Sequence, residues 1–301
     1  MPFYTMPDQA QLFVRHIGKG QPVLVLSGLG MQSWQWLPFL FPYQKQYQFI
    51  IPDWRGLGAS KNCAIPQTNA ISSHWNDINT LIEQLDLKQF KLIAYSMGAT
   101  TAMHGMKYGN LSTKLNAYLH IDQTPKISVD ETWQYGLFGK KHFQFKSLLT
   151  KIHGLLSEYQ HIQNLDELPS HARSCLVSLW YDFIKLQSNN PYSPKIFKLA
   201  LKRPFLQQYL LPIQRLDYLF WYVDNYLYHD EDYREAISQL NCPTTFFIGR
   251  ESTLYSEVGQ TIIANRLAHA KTIYFEHSGH TPLITEPRKF SQEIGKFLQA
   301  Y

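Results

Sequence analysis

Short apolar runs recur along the first 125 residues and alternate with amphipathic stretches. Residues 11–16, Gln-Leu-Phe-Val-Arg-His, alternate apolar and polar side chains, the period of a half-buried strand. Pro22–Leu26, Tyr47–Pro52, Leu92–Ala94 and Ala117–Ile121 are instead nearly continuous apolar runs. Runs of this kind fit strands covered on both faces. Between them, Ile71, Trp75, Ile78, Leu81, Ile82 and Leu85 fall at helical spacing, and Met97–His104 is a run of small, helix-compatible residues. Strands alternating with helices predict an α/β fold, a mostly parallel sheet with helices on both faces.

The pattern changes near Lys126. From there to Leu240 the apolar spacing is helical, with aromatic clusters at Trp180-Tyr181-Asp182-Phe183 and Tyr218-Leu219-Phe220-Trp221-Tyr222 and no strand of convincing length. The sheet pattern resumes at Cys242–Gly249, followed by a helix over Ser256–Leu267, a strand over Thr272–Phe275 and a last helix over Pro287–Leu298. Residues 1–125 and 241–301 are therefore expected to form one α/β domain. Residues 126–240 would be a helical cap inserted over the strand ends.

Composition narrows the function classes. The 301 residues suffice for one large domain with an insertion, and 45% hydrophobic residues support a sizeable core. Many of the aromatics, 15% of the chain, lie between Trp133 and Tyr228, which suggests an aromatic-rich lid or pocket. A net charge of +5 without a Lys/Arg block gives no footing to a nucleic-acid partner. Cys63, Cys175 and Cys242 are far apart, odd in number and lack metal-ligand spacing. They read as free thiols of a reducing compartment, with no metal site expected from them. The first residues lack a basic segment followed by an apolar core, and no apolar run is long enough to span a bilayer. A cytoplasmic protein without membrane insertion is expected; its oligomeric state is not legible.

In parallel sheets, ligands bind beyond the carboxyl ends of the strands. Gly28, Ser96 and Asp122 each follow a strand end, so they would share one edge. Ala94-Tyr95-Ser96-Met97-Gly98 joins a strand to a helix with a small residue two positions either side of the serine, the pattern of a nucleophile elbow. A serine there can also be a plain N-cap, so the pattern gains weight only from partners. The loop Ser27-Gly28-Leu29-Gly30 can turn backbone N–H groups toward a ligand, with Leu29 N–H as half of an oxyanion hole, or can be a simple connection. Its glycine spacing fits neither a P-loop nor a dinucleotide fingerprint. Asp53 and Arg55 bracket a glycine turn and read as structural. A serine hydroxyl needs a base, an orienting group and oxyanion donors to act as a nucleophile. Among 12 histidines, His280 is preferred, because it follows the last strand in Ser278-Gly279-His280-Thr281-Pro282; His277 is the nearest competitor.

These segments, with Asp53-Trp54-Arg55-Gly56-Leu57-Gly58-Ala59-Ser60 and Glu286-Pro287, occur in an order that resembles α/β-hydrolase-fold proteins with a helical cap. The resemblance implies Ser96 as nucleophile, His280 as base, and Leu29 and Met97 N–H as oxyanion donors. Many family members carry the acid just after the strand that here ends at Gly249, but Gly249-Arg250-Glu251-Ser252 places a serine at that position. Either Glu251 shifts in, or the carboxylate comes from the loop after the preceding strand, where Asp122 stands. Asp122-Gln123-Thr124-Pro125, followed by Trp133-Gln134-Tyr135-Gly136, resembles a bacterial esterase-like and haloperoxidase-like subgroup that pairs such an Asp with a later Ser. Asp122 is therefore preferred over Glu251 as the acid. Tyr95 and Trp133 are expected to line the pocket. The implied function is a cofactor-free serine hydrolase cleaving a small-molecule apolar ester or lactone through an acyl-enzyme. A thioesterase, a C–C bond hydrolase or an acyltransferase would use the same residues, and the fold without turnover would be a ligand-binding receptor.

Overall fold

A computed structural model describes residues 2–187, 213 and 215–301. Residues 188–212 and 214 of the expected insertion lie outside the described residues. The strands are β1 (Phe3–Thr5), β2 (Gln11–Gly18), β3 (Gln21–Leu26), β4 (Tyr47–Pro52), β5 (Phe90–Tyr95), β6 (Leu115–Ile121), β7 (Thr244–Gly249) and β8 (Ala270–Phe275). They form one sheet in the order β1-β2-β4-β3-β5-β6-β7-β8. The pairs β1–β2 and β2–β4 are antiparallel, and every later pairing is parallel.

The apolar runs become strands because both faces of the sheet are covered. On one face lie the helices Ala70–Gln84 and Met97–Tyr108, with Ile71, Trp75, Ile78, Leu81 and Met103 buried against Leu24, Leu92 and Tyr118. On the other, Phe290, Ile294, Phe297 and Leu298 of the helix Pro287–Ala300 pack with Trp36 and Phe39 against Val25, Ile93, Leu119 and Phe247. Asn69 caps the helix Ala70–Gln84, accepting from Ser72 N–H at 2.9 Å. Lys91, fully buried within β5, donates to Leu298 O at 2.6 Å and lies over the Tyr47 ring. It thereby satisfies a carbonyl that the last turn of a helix leaves without an intrahelical donor.

Between β6 and β7 run the helices His142–Glu158, Ser170–Gln187, Leu216–Tyr228 and Arg234–Ser238. Their buried side chains, among them Phe145, Leu149, Leu176 and Tyr222, are continuous with the first core face. Hydrogen bonds fasten this segment to the sheet domain. Tyr222 O–H donates to Arg55 O at 3.1 Å, and Tyr218 O–H to Cys63 O at 3.0 Å. No helix among the described residues is long and apolar enough to cross a membrane.

Among the buried histidines, His74, His104 and His229 lie in these seams and His120 lies in β6. His74 Nε2 lies 3.0 Å from Tyr222 Oη, and His104 and His229 flank Tyr233 Oη at 3.0 and 3.3 Å. His120 bridges Tyr118 Oη and Gln123 O. Burial pushes the His74 imidazolium down to about 3 and those of His104, His120 and His229 to about 4. Each is neutral in the folded chain while the unfolded chain takes up a proton below about 6.5. The unfolded state thus binds more protons as the pH falls, and stability rises with pH across this window. Moving from pH 7.5 to 5.5 is expected to cost about 1 kcal/mol per histidine. Urea midpoints at the two pH values measure this; equal midpoints would contradict it.

Candidate active site

The serine sits where β5 turns into the helix Met97–Tyr108. Ser96 has φ 52° and ψ −121°, and is 7% exposed. Residues other than glycine rarely hold such backbone angles, at a cost of about 1–3 kcal/mol, and they cluster at functional sites. The turn is fixed by Ser96 N–H donating to Ile121 O at 3.1 Å, while Ser96 O accepts from Ala99 and Thr100 N–H. Small neighbours are required by contact. A Cβ on Gly98 would lie 2.3 Å from Leu26 O, and one on Gly28 would lie 2.9 Å from Tyr95 Cε1 and 3.2 Å from Ser96 Cβ.

His280 comes from the loop after β8. Its Nε2 lies 2.9 Å from Ser96 Oγ and its Nδ1 2.7 Å from Asp122 Oδ2. An ionised carboxylate only accepts, so Nδ1 carries the proton and Nε2 is left to accept from the serine hydroxyl. The imidazole is held between two tyrosines. It stacks on Tyr95 at 5.2 Å and meets Tyr255 edge-on at 5.3 Å, and Tyr95 O–H donates to His280 O at 2.8 Å. His277 is exposed, and its N–H donates to Glu286 Oε1.

Asp122 follows β6 with φ 40°, a positive angle that non-glycine residues rarely adopt, and is fully buried. Besides His280, three donors hold its carboxylate. Ser252 O–H donates to Oδ2 at 2.8 Å, and Gln260 Nε2 and Gly249 N–H donate to Oδ1 at 3.0 and 3.2 Å. A buried carboxylate is tolerable when its lone pairs are satisfied in this way. Glu251 has an exposed side chain, and its N–H donates to Ser278 O. The structure thus brings Asp122, and not Glu251, to His280.

Leu29 and Met97 bracket the serine, one from the loop after β3 and one as the first residue of the elbow helix. Among the described residues, neither backbone N–H donates to an acceptor. Met97 N–H belongs to the donors that a helix start leaves without internal partners. Over Ser96 opens a cavity of about 340 Å³, small for a ligand site. Gly28, Leu29, Ser96 and His280 lie at its base, and Phe138, Leu149, Ile152, Leu176, Phe183 and Val223 form apolar walls. Tyr95 is part of the lining; Trp133 is not. Trp133 is buried, packs edge-on against Tyr135, and donates from Nε1 to Thr124 Oγ1 at 3.1 Å. It fastens the Asp122-Gln123-Thr124-Pro125 loop rather than walling the cavity.

Asp53 and Arg55 have the structural roles expected of them. Asp53 accepts from Ser33 and Ala59 N–H, and Arg55 forms ion pairs with Asp8 and the buried Asp77. Sequence reasoning did not reach Gln260 or Tyr255. Both lie beyond the β7 loop, and neither belongs to a motif.

Comparison with known proteins was made on the whole chain. Residues 21–287 match the model of a family described as alpha/beta hydrolase fold. The pimeloyl-[acyl-carrier protein] methyl ester esterase of Legionella pneumophila (strain Corby) is 23% identical over 288 residues, 94% of this chain and 97% of the relative. Among solved structures, an esterase from Exiguobacterium antarcticum has a TM-score of 0.69 at 18% identity, covering 99% of both chains. A thermophilic esterase from Thermogutta terrifontis has a TM-score of 0.71 at 16% identity, covering 99% of this chain and 97% of the other. With its family model matched across most of its length, and a mostly parallel sheet that carries a serine at the β5 elbow, the chain belongs to the alpha/beta hydrolase fold family.

Proposed function

We propose that the protein is a cofactor-free serine hydrolase that cleaves a carboxylic ester or lactone through an acyl-enzyme on Ser96. The observation that carries this reading is the series Ser96 Oγ, His280, Asp122, with contacts of 2.9 and 2.7 Å, at the base of an apolar cavity. The Legionella relative, a methyl ester esterase, supports the ester bond as the target. In this mechanism Ser96 attacks the carbonyl carbon while its proton passes to His280 Nε2. The oxyanion accepts from Leu29 and Met97 N–H, and the imidazolium is steadied by Asp122. His280 then gives the proton to the leaving alkoxide. A water, deprotonated by the same nitrogen, attacks the acyl carbon, and Ser96 leaves with the proton returned.

Within this reading, residues 126–240 are the cap that walls the cavity, and residues 1–125 and 241–301 are the catalytic domain. Three free thiols support a reducing compartment, the cytoplasm. The test is labelling with a fluorophosphonate, read by intact mass. The wild type should gain one adduct, and Ser96→Ala and His280→Ala should gain none. A folded wild type that stays unlabelled would refute the serine-hydrolase reading.

A further inference from the structure

Among the described residues, four tyrosines line the cavity: Tyr95, Tyr222, Tyr226 and Tyr255. Two have hydrogen-bond partners for their hydroxyls: Tyr95 donates to His280 O, and Tyr222 donates to Arg55 O and meets His74 Nε2. The Tyr255 ring meets His280 edge-on. Among the described residues, Tyr226 O–H has no hydrogen-bond partner. Its position is not incidental. Leu219, Tyr222, Val223 and Tyr226 follow the i, i+3, i+4, i+7 spacing of one helix face, and all four line the cavity. Burial raises the Tyr226 phenol above its ordinary range, so it stays protonated and available as a donor.

A hydroxyl enclosed by apolar walls costs free energy unless something accepts from it. Water filling the open cavity would accept from it. An all-methylene chain entering the cavity would expel the water and strand the hydroxyl. A chain bearing an oxygen at the right distance would replace the lost bond. We propose that Tyr226 is a specificity-determining residue, donating a hydrogen bond to an oxygen acceptor, such as a keto group, carried on the acyl chain away from the scissile ester. The substrate class is then esters of oxygen-substituted acyl chains rather than plain fatty esters. This deepens, and rests on, the ester-hydrolase reading of Ser96. Sites built to hydrogen-bond a substrate group discriminate against analogues lacking it far more strongly than apolar pockets sort chain length.

The experiment compares p-nitrophenyl octanoate with a set of its analogues, each carrying one keto oxygen at a successive chain position. In the wild type, kcat/KM for the best keto position should exceed that for the plain ester by about tenfold. Tyr226→Phe keeps the ring and removes only the oxygen. It should erase the preference by lowering kcat/KM for the keto ester and raising it for the plain one, and turnover of both esters shows that the variant folds. A flat wild-type profile, or a preference that survives Tyr226→Phe, overturns the proposal. Failure of the hydrolase reading is distinguishable, because no ester would turn over and no fluorophosphonate adduct would form. In that event calorimetric binding of the matching keto-octanoic and octanoic acids to Ser96→Ala and Ser96→Ala/Tyr226→Phe decides. A tenfold preference that depends on Tyr226 upholds the role, and its absence ends it.

Discussion

Replacing Ser96 by alanine is expected to lower kcat on an activated ester by about 10⁶, the loss seen when a serine nucleophile is removed from a working triad. Ligand affinity should change by no more than about twofold, because Oγ is a small part of a cavity walled by Phe138, Leu149, Leu176 and Val223. That split separates a hydrolase from a ligand receptor of the same fold: a receptor would show no turnover in the wild type either. The backbone adds a second signature. Alanine keeps the Cβ that makes φ 52° costly, whereas glycine does not. Ser96→Gly should therefore be as inactive as Ser96→Ala yet more stable than it by about 1 kcal/mol. Thermal unfolding of the two variants side by side reads this directly. A Ser96→Gly protein less stable than Ser96→Ala would mean that the elbow is not strained.

The sheet was legible because burial on both faces leaves a mark in the sequence. The runs at Pro22–Leu26, Tyr47–Pro52 and Ala117–Ile121 are strands β3, β4 and β6 almost to the residue. β5 reads short, as Leu92–Ala94, because Lys91 breaks the apolar run; the structure buries it by giving Nζ a helix-end carbonyl. β1 left no trace, since three partly exposed residues at a sheet edge carry no periodicity. At the site, the structure brings together Ser96 and His280, which stood out through small neighbours in turns at strand ends, and Asp122, which stood out through the resemblance of its Asp-Gln-Thr-Pro loop. The serine at position 252 marked the lack of a carboxylate there, but only three dimensions show it donating to Asp122. Trp133 was misplaced for a related reason. An aromatic residue near a catalytic loop looks the same in sequence whether its indole walls a cavity or, as here, anchors the loop through Thr124. Gln260 touches Asp122 from 138 residues away, a contact that no local pattern encodes.

The Asp122→Asn variant should lose about 10⁴ in kcat, with Glu251→Gln left within about twofold of wild type. The size of the first effect follows from the donors around the carboxylate. Gln260 Nε2 and Gly249 N–H both point at Oδ1, so an asparagine must set its carbonyl oxygen there. Its NH₂ group is then forced onto the side of His280 Nδ1 and Ser252. A donor facing Nδ1 drives the proton to Nε2, where it faces Ser96 instead of accepting from it. The protein's own hydrogen bonds thus lock the imidazole in the inactive tautomer, and the amide cannot escape by flipping. Ser252→Ala removes one of two donors on Oδ2 while leaving His280 in place. It should cost about tenfold in kcat, the loss of one hydrogen bond to a charged group. Glu251 is not expected to take over, because the carboxylate that meets His280 Nδ1 is that of Asp122. Steady-state kinetics on one ester with all three variants test the assignment together. Full activity in Asp122→Asn, with loss in Glu251→Gln, would move the acid to Glu251 and require the loop after β7 to rearrange during turnover.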